Sequence, residues 1–291
     1  MALHKSSMLV KLEISQWDGF KKDNRAAETV DQQFHTVGGV GNYNKRLLNK
    51  VSMAPVQSLV SKIRATHARF TMPWCYDGLA LLPSKFFLEY TEAMRQLKDQ
   101  FDAAVDNLIT QYPIYKSDQA QALGNLYNSN DYPTSDELRR RFKISHRFFP
   151  VPQSDHFVVD LAAEDEAKLR QQLAQELQAT QDQALKSLYD RISELVSRIY
   201  DRLSDPKNVF RDSMIEAVTQ LVAVLPALNI FRDPLLDELT ADMRNKLMGH
   251  DPDQLRTDLA LRAQVAQDAY DILIKMKGNT AAFEPQYLLA A

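Results

Sequence analysis

The period of the apolar positions changes along the chain, and each change predicts an element. Over residues 8–15, MLVKLEIS, apolar and polar residues alternate: Met8, Val10, Leu12 and Ile14 on one side, Leu9, Lys11, Glu13 and Ser15 on the other. That is the pattern of a half-buried strand. Two short β-like runs around RFTMPW and LALL, within residues 69–82, flank Tyr76-Asp77-Gly78 and predict a hairpin. Residues 156–161, HFVVDL, read as a further strand able to pair with 8–15. Elsewhere the period is helical. Phe87, Tyr90, Met94, Leu97, Phe101, Val105 and Leu108 predict a helix over 84–111, ended by Tyr112-Pro113.

Shorter helices are expected over 44–51, over 55–70 with Pro55 at its start, near 117–127 and over 135–142. From about 163 to 204, Leu185, Leu188, Ile192, Leu195, Ile199 and Leu203 form a seam close to that of a coiled coil, with Leu169, Leu173 and Leu177 upstream in a shifted phase. The seam's expected partner is the 84–111 helix folded against it, with oligomerisation through a second subunit as the alternative. Helices over 209–225, 234–247 and 253–277 follow. The fold class is therefore α+β and predominantly α-helical: long antiparallel helices with a small antiparallel β-sheet. A mixed basic region is expected over 1–161, a helical region packed on it over 162–277, and a mobile tail over 278–291.

Composition narrows the classes. Only 8 glycines in 291 residues argue against a turn-rich all-β fold, and a single cysteine excludes an internal disulfide framework. Cys75 is expected as a small buried side chain. There is no apolar signal core at the N-terminus and no run of membrane-spanning length, so the chain reads as cytoplasmic, with no membrane partner. The net charge of −3 hides a basic N-terminal region, in which residues 1–76 hold 11 Lys+Arg against 5 Asp+Glu. A basic part attached to an acidic helical remainder suits a protein that meets an anionic polymer on one side.

Candidate chemistry lies in mixed basic and aromatic clusters. Residues 139–149, RRRFKISHRFF, hold Arg139, Arg140, Arg141, Lys143 and Arg147 for phosphates, and Phe142, Phe148 and Phe149 as flat faces for bases. An Arg-rich helix end followed by a strand that buries its aromatics would give the same pattern. Trp17, Phe20, Lys21, Lys22 and Arg25 form a second cluster, and Tyr43, Lys45, Arg46 and Lys50 a third. Arg64, His67 and Arg69 lie near Trp74 and Tyr76. Trp17 and Trp74 can be stacking residues or core anchors. Gly38-Gly39-Val40-Gly41 ahead of Lys45-Arg46 lacks the Ser or Thr and the preceding strand of a phosphate loop, and reads as a turn whose N–H groups can touch a phosphate. The six histidines show no metal-ligand spacing, and no acid–base pair stands out. No cofactor and no enzymatic activity are expected.

Further landmarks occur in a fixed order: Gly41-x-Tyr43-x-Lys45-x-Leu47-Leu48, Arg69-Phe70 with Pro73-Trp74, Leu82-Pro83, Tyr112-Pro113, Tyr132-Pro133, and Phe148-x-Pro150-Val151-Pro152 ahead of Phe157-x-Val159. In these the chain resembles, over about residues 36–205, a phage-associated family of uncharacterised function found near MoxR-type ATPases and von Willebrand A-like proteins. In size and layout it is also similar to the Drc-type single-stranded-DNA-binding RNA polymerase cofactors of podoviruses. The resemblance implies a protein of the infected host cell that binds single-stranded DNA and supports transcription or replication, with a phage RNA polymerase as partner. Single-strand binders often carry a short acidic tail, which this chain lacks. The competing expectation is a helical scaffold or adaptor that engages an ATPase or another protein.

Overall fold

The computed structural model describes residues 3–75, 78–152 and 163–279. They form an α+β fold dominated by helices, as the periodicities predict. The chain divides into two compact units. One contains residues 1–11, 68–88 and 147–291, the other residues 12–67 and 89–146.

A short helix α1 (Leu3–Ser6) leads into strand β1 (Ser7–Ser15). Strands β2 (Phe20–Lys22) and β3 (Asn44–Arg46) enclose helix α2 (Asn24–Phe34). Helix α3 (Lys50–Phe70) precedes strands β4 (Met72–Pro73) and β5 (Leu79–Pro83), and a 3-10 turn at Ser84–Phe86 opens helix α4 (Phe87–Leu123). Helix α5 (Ser135–Arg140) and strand β6 (Lys143–Phe149) follow. The sheet order is β4-β5-β1-β6, with Ser7 opposite Pro83 and Val10 opposite Ala80. The N-terminal strand and the 69–82 hairpin thus appear as expected. The expected strand at 156–161 lies outside the described residues, as do residues 280–291 of the tail.

Several boundaries differ from the reading of the sequence. Residues 44–46 are a strand rather than the start of a helix, and α3 begins at Lys50, five residues before Pro55. The Asn49 side chain causes this by accepting from the Ser52 backbone N–H at 2.8 Å and the Ser52 hydroxyl at 2.7 Å. Helix α4 runs through Pro113 instead of ending there. Its buried residues Tyr90, Met94, Phe101, Val105, Leu108 and Tyr112 hold one face inward, and Pro113 lies on the exposed side, where a lost backbone bond is cheap.

The larger helical part consists of α6 (Ala163–Ser204), α7 (Asp212–Leu228), α8 (Pro234–Lys246), α9 (Pro252–Thr257) and α10 (Leu259–Asn279). The single helix expected over 253–277 is divided at Asp258, whose carboxylate caps α10 by accepting from Ala260 and Leu261 N–H. The seam residues Leu188, Ile192, Leu195, Ile199 and Leu203 are buried, and α6 packs along α10. α10 therefore takes the place expected for the 84–111 helix or for a second subunit. Upstream, the stripe opens: Leu169 is exposed and Leu173 and Leu177 are half-buried.

Candidate nucleic-acid interface

One mixed basic and aromatic cluster lies on the ribbon made by β2 and β3, in the unit of residues 12–67 and 89–146. Gly19 supplies the left-handed backbone, φ 72°, that turns the chain into β2, and its carbonyl accepts from Leu47 N–H at 2.7 Å. The Asp18 carboxylate accepts from Phe20 N–H at 3.0 Å. At the other end Asp23 N–H donates to the Tyr43 carbonyl at 2.8 Å, while the Asp23 carboxylate caps α2 through Ala26 N–H. The register pairs Phe20 with Arg46, Lys21 with Lys45 and Lys22 with Asn44.

Directly paired residues share a face, so Phe20 and Arg46 meet, and the guanidinium lies over the ring at 4.3 Å from its centroid. Phe20 is 40% and Tyr43 38% exposed, and Lys21 and Lys22 are exposed. The Arg46 backbone is fixed by Gln119 of α4, whose side-chain amide donates to the Arg46 carbonyl at 2.8 Å. The result is a short, anchored ribbon carrying two accessible rings and three cations, Lys21, Lys22 and Arg46, that form no ion pair among the described residues.

Lys45 does not belong to this surface. It is 3% exposed, and its ammonium donates to Asp23 at 2.6 Å, to the Leu126 carbonyl at 2.7 Å and meets Asp131 at 2.7 Å. Burial pushes the Lys45 pKa down, but the Asp131 and Asp23 carboxylates outweigh it and hold the ammonium above the usual lysine value. The hydrogen bond from Lys45 keeps Asp23 below the usual carboxylate range. The expectation that Lys45 meets phosphate is corrected by these partners. The glycine turn at 38–41 leads into β3 rather than into the helix expected over 44–51.

In the 139–149 cluster the fold contains an Arg-rich helix end with Phe142 buried after it, followed by β6, in which Phe148 is half-buried and Phe149 exposed. Thr134 and Glu137 close a capping box at the start of α5, and Leu138 is buried. Arg139 forms an ion pair with Asp106 and is spoken for. Arg140, Arg141 and Lys143 are exposed. The Ser15 hydroxyl donates to the Arg141 carbonyl at 3.0 Å, which ties this bend to the end of β1. Phe142 is buried edge-on against Phe101, with centroids 6.4 Å apart, and Ile144 is buried too.

Further along β6, in the other unit, Arg147 and Phe149 are exposed, whereas Phe148 is half-buried with its ring edge-on to Phe87 at 5.2 Å. Phe148 and Phe142 are thus corrected from stacking faces to packing residues. Trp17 and Trp74 are core anchors as well, 6% and 5% exposed. Trp17 packs edge-on against Tyr112, whose hydroxyl donates to the Pro133 carbonyl at 3.0 Å. Cys75, expected inside, is exposed.

The cluster near Arg64 also resolves differently. His67 turns inward, with Nδ1 2.9 Å from the Tyr90 hydroxyl, and the His146 ring stands edge-on to Tyr90 at 5.9 Å. Burial, and the repulsion of His146, lower the His67 pKa to about 4. Burial likewise lowers His146 and raises Tyr90. This trio joins three elements, so no local spacing in the sequence signals it. The pairing of Phe20 with Arg46 was equally hidden, although the residue types of both clusters were visible.

No helix of the described residues is long and apolar enough to cross a membrane, and no group of three or more His, Cys, Asp or Glu among them is placed to hold a metal ion. In comparisons with known proteins, no family model, no curated protein and no solved structure matches the chain.

Proposed function

We propose that the protein binds single-stranded DNA without catalysis, using the β2–β3 ribbon as its principal contact. In the setting that the phage resemblance implies, it supports transcription or replication. The observation that carries this reading is the exposed set Phe20, Lys21, Lys22 and Tyr43, with the half-buried Arg46 stacked on Phe20, on a ribbon whose backbone is anchored at both ends. Diffuse positive charge follows a sugar–phosphate backbone, and an exposed ring stacks on an unpaired base with no demand on its identity. Arg46 over Phe20 offers a stacked cation and ring together, which favours contact with both parts of one nucleotide. Arg140, Arg141 and Lys143 supply further phosphate contacts in the same unit.

Stacking on one ring contributes about 1–3 kcal/mol, so Tyr43→Ala is expected to weaken binding by about tenfold. The combined Lys21→Ala, Lys22→Ala and Arg46→Ala variant should bind every oligonucleotide sequence more weakly and with a shallower salt dependence. Fluorescence anisotropy of a labelled oligonucleotide measures both. An unchanged affinity in the triple variant removes the ribbon from the binding surface.

A further inference from the structure

Helix α6 outruns the helix that packs on it. Near the start of α10, Arg262 Nε donates to the Leu203 carbonyl at the end of α6 at 3.0 Å. Further along, the rings of Tyr270 and Tyr200 lie side by side, with centroids 5.5 Å apart. The two helices therefore run antiparallel. From Tyr270 the remaining residues of α10, at about 1.5 Å each, bring its end at Asn279 beside about residue 190 of α6. Since α6 begins at Ala163, more than half of its 42 residues lie upstream of that point. Thr180, Ala184 and Leu188 are still buried, but residues 165–179 contain no buried side chain.

This open arm is patterned all the same. Leu169, Leu173, Leu177, Thr180, Ala184 and Leu188 follow at steps of 4, 4, 3, 4 and 4, a largely apolar stripe that runs without a break from the arm into the buried seam. Leu169 is 37% exposed, and Leu173 and Leu177 are half-buried. These three are the only large apolar side chains of residues 165–179. A helix of about 15 residues without a packed face is marginal in water, so the stripe calls for a covering surface.

We propose that the arm pairs antiparallel with the same arm of a second copy of this chain. The leucines are spaced evenly about Leu173, so the stripe is complementary to itself. A two-fold axis through the Leu173 layer sets Leu169 against the partner's Leu177 at one end and Leu177 against the partner's Leu169 at the other, an isologous contact. The position of α10 selects the direction. Downstream α10 already covers the seam, so a parallel partner would bring two α10 helices into the space between the two α6 helices. An antiparallel partner enters where α10 ends and leaves past residue 163, extending along α6 the cover that α10 begins. Three leucine layers make a small contact, below about 1,200 Å², which belongs to the class of weak, reversible complexes. The dimer therefore forms as concentration rises. Where the single-strand reading holds, it carries two ribbons, and a strand that reaches both is held more tightly than by either alone.

Sedimentation velocity of the intact chain, without nucleic acid, tests the pairing. A shift from monomer to dimer with increasing concentration is expected. Leu173→Glu should leave only monomer at concentrations where the parent is dimeric, whereas Leu173→Met, which keeps an apolar side chain, should retain the dimer. Cysteine cross-linking reads the direction, in a Cys75→Ser background because Cys75 is exposed. A mixture of Leu169→Cys and Leu177→Cys proteins should cross-link, and neither protein should do so alone. A parent that stays monomeric, a dimer indifferent to Leu173→Glu, or cross-linking within Leu169→Cys alone overturns the proposal. So does a monomeric parent that dimerises only once residues 280–291 are removed, a result that gives the stripe to that segment. The variant at Lys21, Lys22 and Arg46 should dimerise like the parent, so this dimer and single-strand binding stand or fall separately.

Discussion

An ammonium can be buried when each of its donors meets an acceptor, and Lys45 satisfies that condition with Asp23, Asp131 and the Leu126 carbonyl. Removing it leaves the Asp23 and Asp131 carboxylates without the cation between them. Lys45→Ala should therefore lower stability by about 3–5 kcal/mol, measured by urea unfolding, while the folded fraction keeps its affinity for oligonucleotides. A loss of affinity without a loss of stability would return Lys45 to the binding surface. His67 gives a pH prediction. Its pKa of about 4 lies below that of the unfolded chain, so between pH 6.5 and 4 the unfolded state takes up a proton that the folded state refuses. Stability should fall over that window, by about 1–2 kcal/mol at pH 5, the lower figure allowing for solvent at a partly exposed ring. His67→Gln should flatten this part of the profile. At this scale residue types were legible in the sequence but their partners were not. Trp17, Trp74 and Lys45 are indistinguishable from Tyr43 and Lys21 until residues far apart in the chain, such as Tyr112 and Asp131, are brought beside them.

Between elements, the helices follow from period and their ends do not. α4 continues past Pro113 because Tyr112 is anchored to Pro133 and Gln119 to Arg46, contacts that no window of local sequence contains. α6 ends where Asp205-Pro206 predicts, but what holds that end is Arg262 of α10. This side chain is buried and donates to the carbonyls of Arg202, Leu203, Asp205 and Asn208, satisfying groups that a helix terminus leaves without partners. Arg262→Ala should cost about 2–4 kcal/mol, and Arg262→Lys should restore only part of it, since a single ammonium lacks the planar fork that reaches several carbonyls. Chemical denaturation of the two variants checks this. Equal stability of Arg262→Ala and the parent would show that the α6 end is held by packing alone. The seam of α6 was readable as a buried stripe, yet its partner was not, because α4 and α10 carry equally apolar faces and only the assembled chain discriminates between them.

For the whole molecule, the basic N-terminal half was visible in composition, and the surface it forms is narrower than composition suggests. Lys45 and Arg139 are neutralised by carboxylates, Phe142 and Phe148 are packed, and in the ribbon's unit the accessible candidates contract to the ribbon and the bend around Arg140, Arg141 and Lys143, while Arg147 and Phe149 are exposed in the other unit. That contraction fixes a number. Single-stranded DNA gives a slope of log affinity against log salt of about −0.7 per phosphate neutralised, so Lys21, Lys22 and Arg46 alone produce a slope of about −2. Adding Arg140, Arg141 and Lys143 brings it to about −4. The direct measurement is a titration of the parent protein with a labelled single-stranded oligonucleotide at 50 and 200 mM salt. Saturable binding that weakens with a slope between those values is expected. Absence of binding at the lower salt, or an affinity that salt leaves unchanged, would contradict single-strand binding by this surface.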